Sequence, residues 1–240
     1  MCFAQKIMRV YFDFAYNVTY DFTTGRFDAY RRLQRTCINK LELRDADQVL
    51  CVGVGTGNEV LHILQISRNV KIVGVDYSKT ALQKAYSKAL ARGKEIDVLI
   101  MDAQRLEFAA ESFDKVLCLH VMDFIDDNKE ATTEILRVLK HGGQFVITYP
   151  SSKEGLRLGV NLLSDSVRRG IDSGKPRIRA LSEALAQMLV GFVYLPLLFR
   201  PKRKSYSRSE LGAMFSKLTT GNFRIEEEPV YQDFIVHGRK

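Results

Sequence analysis

From residue 47 to residue 149, short apolar runs alternate with stretches whose apolar positions recur every three or four residues. The apolar runs fall at 49–54, 71–76, 96–101, 113–119 and 144–149. Each is short and nearly continuous, as a strand covered on both faces would be. The intervening spacing is helical, so the pattern predicts strand–helix–strand repeats forming a parallel sheet with helices on both faces. Asp126-Asp127 are expected to open the helix before the fifth run, where carboxylates suit the N-terminal dipole. Gly142-Gly143 are expected to stop it.

The flanks follow other periods. Ile7, Val10, Tyr11, Phe14 and Val18 share a helical face, as do Phe27, Tyr30, Leu33, Cys37, Ile38 and Leu41, with a turn at Thr23-Thr24-Gly25 between them. Nine of the 24 Phe and Tyr residues lie in the first 30 positions, so this leader reads as packing on a sheet edge or as a lid. At the far end, a helix over 209–218 precedes two expected strands, 223–230 and 231–237, which would form an antiparallel hairpin. Between the halves, Leu156, Val160, Leu163 and Val167 predict an amphipathic helix ending in Arg168-Arg169-Gly170. A second helix is expected from 178 to about 199. Its part 184–199 carries no charge but is interrupted by Pro196, and it falls short of the ~20 residues that span a bilayer.

The run Val49-Leu50-Cys51-Val52 rises into Gly53-Val54-Gly55-Thr56-Gly57, with glycine at every second position. Glycines at a strand-to-helix turn let the backbone approach a nucleotide-like ligand with no Cβ in the way. A pyrophosphate-binding turn would have glycine at position 58, where this chain has Asn58. G-x-G-x-G instead suits a ligand without phosphate, and S-adenosylmethionine is the leading candidate. Asp76 ends the second run, 19 residues after Gly57, where an acid can accept ribose hydroxyls. Asp102-Ala103 ends the third run, near where an adenine amine would lie. His120 ends the fourth, at the strand tips where open α/β sheets bind ligands.

Together these motifs resemble the class I S-adenosylmethionine-dependent methyltransferases across roughly residues 45–150 and the C-terminal hairpin. Tyr20-Asp21-Phe22-Thr23-Thr24-Gly25-Arg26 looks like the leader of the quinone C-methyltransferase and bacterial phospholipid N-methyltransferase groups. The resemblance implies an α/β, Rossmann-like three-layer fold: a seven-stranded, mostly parallel sheet ending in an antiparallel hairpin, plus a helical insertion. The expected division is a helical lid at 1–43, a cofactor-binding core at 44–150, the insertion at 151–206 and a helix with hairpin at 207–240. The resemblance further implies that Gly53, Gly55, Thr56 and Gly57 meet the methionine and ribose side. Asp76 would hold the ribose, Tyr77 would lie against the adenine, and Asp102 and Ala103 would meet its edge. Tyr20 and His120 would complete the cofactor's surroundings. One position departs: the family usually has an acid where Cys51 stands, and that acid helps to hold the methionine end. Cys51 itself reads as a small buried hydrophobe.

Methyl transfer from a sulfonium relies mainly on alignment, and a base is required only where the acceptor must lose a proton. His120 is the candidate catalytic base, with packing beside the cofactor as its other reading; Asp123 and Tyr149 are weaker candidates. After the fourth strand, Leu119-His120-Val121-Met122-Asp123 lacks the Asn/Asp-Pro-Pro-Tyr/Phe element with which similar enzymes hold a planar amide or adenine amine. No Pro-Cys nucleophile is present either, and Cys118 lies within a strand. The acceptor is therefore expected to be small and hydrophobic or lipid-like, such as a quinone-like ring. The rivals are an RNA or protein methyltransferase and a cofactor-binding module without turnover.

The net charge of +8 belongs to one segment: residues 151–208 hold 12 Lys/Arg and 4 Asp/Glu, and the remainder is balanced at 24 of each. An apolar helix beside Arg200-Pro201-Lys202-Arg203-Lys204 has three readings: a core helix, a lid, or a peripheral membrane contact through 184–204. No nucleic-acid partner is expected, because the uncharged run suits no phosphate track. Four cysteines without C-x-x-C or zinc-spaced histidines indicate no disulfide framework and no metal. With no signal-peptide pattern, the expected setting is cytoplasmic, at most peripheral at the inner face of a membrane.

Overall fold

The computed structural model describes residue 21 and residues 28–67, 69–151, 156–190 and 205–240. The leader helix over 1–18, Tyr20, the run 191–199 and the basic stretch 200–204 therefore lie outside the described residues. Helix α1 (Asp28–Asn39) leads into the alternation β1 (Gln48–Val52), α2 (Asn58–Ile66), β2 (Lys71–Asp76), α3 (Lys79–Leu90), β3 (Asp97–Ile100), β4 (Phe113–Cys118), α4 (Asn128–Val138) and β5 (Leu139–Tyr149). A helical hairpin follows, α5 (Leu156–Asp172) and α6 (Arg177–Val190), then α7 (Arg208–Leu218), β6 (Phe223–Glu227) and β7 (Phe234–Arg239).

The seven strands are ordered β3-β2-β1-β4-β5-β7-β6. β1 to β5 pair in parallel, and β7 pairs antiparallel with both β5 and β6. The fold is thus the Rossmann-like sheet with a closing antiparallel hairpin that the motifs imply. Winding runs outward from β1 through β2 and β3, then restarts on the other side at β4. The switch point between β1 and β4 opens a crevice at the strands' C-terminal ends.

Side chains alternate faces along each strand. Val49 and Cys51 enter one core layer with Leu33 and Ile38 of α1, Val60 and Ile63 of α2, and Leu82 and Ala85 of α3. Leu50 and Val52 enter the opposite layer with Ile135 of α4 and Leu211 and Phe215 of α7. Burying both faces explains the near-continuous apolar strands.

Two expectations are corrected. The helix through Glu134 ends at Val138, before the glycine pair: Leu139 turns extended, is fully buried, and pairs with Phe113. Gly142 and Gly143 lie within β5, at a register irregularity, where a Cβ on Gly143 would stand 2.9 Å from the Asp114 carbonyl oxygen. At the C-terminus, the expected strands 223–230 and 231–237 are separated by a loop over 228–233. Pro229 supplies no backbone donor, and the Glu228 carboxylate accepts the N–H groups of Val230 and Tyr231, which folds the chain back on itself. Asp127 opens α4 as expected, accepting from the N–H groups of Lys129 and Glu130. Among the described residues, no helix is long and apolar enough to cross a membrane.

Candidate functional site

The glycine turn joins β1 to α2. Gly53, Gly55 and Gly57 all have positive φ (65°, 51° and 80°), which ordinary side chains rarely adopt. Their surroundings differ. A Cβ on Gly57 would stand 2.7 Å from Ala85 Cα on α3, and one on Gly53 would overlap the Val121 side chain. A Cβ on Gly55 would meet nothing nearer than the Gly53 carbonyl oxygen at 4.0 Å. Gly57 thus lets two helices approach, whereas Gly55 borders open space of the kind a ligand would fill. That pattern fits S-adenosylmethionine lying against the turn.

Asp76, at the tip of β2, fixes the turn from the side. Its Oδ2 accepts from Gly55 N at 2.9 Å and its Oδ1 from Ser78 N at 2.9 Å. A carboxylate can accept about four hydrogen bonds, so bracing the turn is compatible with accepting ribose hydroxyls as well. Tyr77, next in sequence, is half-exposed. Asp102 follows β3 and is exposed, accepting from Gln104 N, while half-buried Ala103 packs on the core. The loop after them is held by α4: Glu134 accepts from Leu106 N, and Arg137 donates to the carbonyls of Leu106 and Phe108. Hydrogen bonding from Arg137 keeps the Glu134 carboxyl below its ordinary range. Thr56 faces elsewhere, being buried with its hydroxyl donating to Asp21 Oδ1 at 2.7 Å. Lys88 donates to the same oxygen at 2.6 Å and to Asn58 Oδ1 at 2.8 Å, tying α3 to the turn.

His120 lies past β4 in left-handed conformation, φ 53°, with its N–H donating to buried Thr148. A non-glycine residue there costs about 1–3 kcal/mol and tends to mark functional positions. Its Nδ1 stands 3.1 Å from Oδ2 of Asp233, which is only 3% exposed. Asp233 Oδ1 is buried with no hydrogen-bond partner among the described residues. The rings of Tyr30 and Tyr231 flank the imidazole, with centroids 5.3 and 5.5 Å away.

Two further carboxylates act on His120. Glu59, in the first turn of α2, accepts from Gln34 Nε2 at 2.7 Å, and burial raises its carboxyl above the ordinary range. Burial also raises Glu228, aided by Asp233, despite the two backbone donors it accepts. Glu59 lines a small cavity together with Cys51, Gly53, Leu117 and Leu119. Cys51 is itself buried, and desolvation pushes its thiol up.

The structure therefore brings Gly53, Gly55, Gly57, Asp76, Tyr77, Asp102, Ala103 and His120 to one end of the sheet. Thr56 reaches it by backbone alone, and Tyr20 lies outside the described residues. Asp123 follows His120 in the same loop. Tyr149 is fully buried, bonded to Thr132 at 2.6 Å and pushed upward by desolvation, which suits a core role. Sequence reasoning missed Glu59, Asp233 and Glu228. The break at Glu228-Pro229 was the available signal for the last two. Among the described residues, no cluster could hold a metal ion.

Residues 50–147 match the family described as a methyltransferase domain. A phosphatidylethanolamine N-methyltransferase of Cereibacter sphaeroides is 32% identical over 131 residues, 53% of this chain and 61% of that protein. A ubiquinone/menaquinone biosynthesis C-methyltransferase of Desulfotalea psychrophila is 28% identical over 163 residues, 60% of this chain and 65% of that protein. The chain thus spans less than two thirds of either relative. Among solved structures, a SAM-dependent methyltransferase from Aquifex aeolicus superposes with a TM-score of 0.56 at 16% identity, over 90% of each chain. A putative methyltransferase of Haloferax volcanii, in complex with the Trm112 activator, superposes with a TM-score of 0.62 at 16% identity, over 95% of this chain and 96% of that one. At such identities the likeness establishes the fold.

Proposed function

We propose that this chain, whose residues 50–147 match the methyltransferase-domain family, is a class I S-adenosylmethionine-dependent methyltransferase that transfers a methyl group to a small hydrophobic or lipid-like acceptor. Its cofactor, S-adenosylmethionine, supplies a methyl already activated by the neighbouring sulfonium charge. The chain's own residues then have three tasks. Gly55 admits the ligand against the turn, and Asp76 accepts the ribose hydroxyls while bracing the Gly55 N–H. Tyr77, Asp102 and Ala103 border the adenine. His120, oriented by Asp233, takes the proton from an acceptor hydroxyl or activated ring carbon. The observation that carries this reading is the His120–Asp233 pair at the same strand ends as the glycine turn, walled by Tyr30 and Tyr231. Aromatic walls favour a ring or a lipid-like body.

A second reading is favoured by the same cluster's charge. Glu228 and Asp233 beside two tyrosines also suit an ammonium, and hence an amine acceptor in a lipid headgroup. Incubation with label-carrying S-adenosylmethionine and a cell extract separates the outcomes. Label in the organic phase supports a hydrophobic acceptor, and mass spectrometry of the product assigns the methyl to carbon, oxygen or nitrogen. Label in acid-precipitable material would point to RNA or protein and sink the proposal.

Asp76→Ala is expected to weaken cofactor affinity by about tenfold or more, since charge-assisted hydrogen bonds and the turn's brace go together. Calorimetric titration showing unchanged affinity would remove Asp76 from the ribose. Glu59 is assigned to the ammonium of the cofactor's methionine end, in place of an acid at Cys51. Only the ionised carboxyl attracts that cation, and burial raises Glu59 above the ordinary range. Cofactor affinity should therefore climb with pH as Glu59 ionises, and Glu59→Gln should be weaker and flat across that window. A Gln variant that keeps the slope would dismiss the assignment.

A further inference from the structure

We propose that the outward face of α6 docks on an anionic lipid surface, a proposal resting on the reading of a lipid-like acceptor. The amphipathicity of α6 is inverted. Its inner face carries the small residues Ala180 and Ala184, exposed by 2% and 1%, while Ile178, Leu181, Leu185 and Leu189 are exposed by 86%, 46%, 48% and 66%. At 3.6 residues per turn, these four fall in one strip roughly 80° wide. Large aliphatics are therefore not what holds the hairpin together. A close backbone approach does that, since a Cβ on Gly170 of α5 would stand 2.7 Å from Ala180 Cβ. A continuous apolar strip on a surface helix is uncommon unless something covers it.

Charge identifies the cover. Lys175, Arg177 and Arg179 are exposed at the start of the strip, and although Lys175 and Arg179 share the single carboxylate of Glu183, the three leave a net positive flank. They belong to the segment 151–208, which carries the whole basic excess of the chain, 12 Lys/Arg against 4 Asp/Glu. A second copy of this chain would bring the same positive segment against itself. An anionic bilayer interface instead accepts aliphatic side chains and attracts the basic flank.

The location suits delivery of an acceptor. α5 is tied to α1 by Arg32–Asp165, one helical turn or less from Tyr30, and Asn161 donates to the carbonyl of Val230 at 3.1 Å. The hairpin is thus anchored through α5 to α1 and to the 228–233 loop, the two elements that carry Tyr30 and Tyr231.

Sedimentation of the 240-residue chain with phosphatidylcholine/phosphatidylglycerol vesicles tests this. The chain should co-sediment, and binding should fall by roughly tenfold on pure phosphatidylcholine or in high salt. The variant I178S/L185S/L189S should lose roughly tenfold in vesicle affinity, with its thermal midpoint and its cofactor affinity without vesicles unchanged. No sedimentation of the parent chain, or equal binding by the variant, overturns the proposal. So does a parent dimer that the variant converts to monomer, because a second copy would then cover the strip. Cofactor titration without vesicles reports separately: vesicle binding without cofactor binding would sink the methyltransferase reading and leave the docking surface standing.

Discussion

Gly57→Ala is expected to cost the protein about 3 kcal/mol or more of stability, and cofactor binding with it. Two penalties combine. A side chain at φ 80° costs about 1–2 kcal/mol. The new methyl would stand 2.7 Å from Ala85 Cα and 2.8 Å from Ala85 Cβ, so α2 and α3 must separate, and forced overpacking adds about 1–3 kcal/mol. Against a total stability of roughly 5–15 kcal/mol, such a loss shows as a large drop in thermal midpoint. Gly55→Ala provides the contrast. Its φ of 51° carries the backbone penalty, yet its methyl enters open space. That variant should fold with a modestly lowered midpoint and lose cofactor affinity by more than tenfold, or about 1.4 kcal/mol. Thermal melts and calorimetric titration of the pair decide the matter. Full affinity in Gly55→Ala would mean that the ligand does not lie against this turn.

The contrast between these glycines shows where the sequence was legible. The G-x-G-x-G spacing, the apolar run before it and the acid ending β2 are local patterns, and they place β1, α2 and Asp76 directly. A parallel sheet with helices on both faces also follows from the alternation of apolar runs and helical spacing, whereas the seven-stranded arrangement with its hairpin came from the family resemblance. Which glycine faces a helix and which faces a ligand is not local; it depends on where Ala85 of α3 arrives. The same holds for burial of charge. Glu59 reads in sequence as an ordinary first-turn acid on a helix, and only the approach of Gln34 from α1 shows its carboxyl to be enclosed. Asp233 was hidden by Val230 and Tyr231, whose apolar character continues the neighbouring strand. The Glu228 side chain, by accepting their N–H groups, removes them from the sheet and turns the loop toward His120. α6 stayed open among core, lid and membrane contact because its sequence does not say which face packs. The small residues Gly170, Ala180 and Ala184 do the packing, and the leucines face outward.

His120 and Asp233 carry the largest expected effect on turnover. If the acceptor must lose a proton, His120→Ala should lower kcat by about 10²–10⁴, the usual contribution of a positioned base. Cofactor affinity should change little, because the turn, Asp76 and the 102–103 loop are untouched. The rate of the parent enzyme should fall toward acid pH as the imidazole takes up its proton, and His120→Ala should lack that limb. Asp233→Asn is the sharper probe. The carboxylate 3.1 Å from Nδ1 fixes the orientation of the ring. Replacing it with an amide loosens that orientation and should reduce kcat less than loss of the imidazole does. A mere packing role for His120 gives another result: cofactor affinity falls in both variants and the acid limb stays where it was. An amine acceptor gives a third. There the carboxylates of Glu228 and Asp233 would matter more than the base, so neutralising Asp233 would raise KM for the acceptor while His120→Ala left kcat nearly intact. Steady-state kinetics across pH with the acceptor from the labelling experiment separate the three, and only the first keeps His120 as the base.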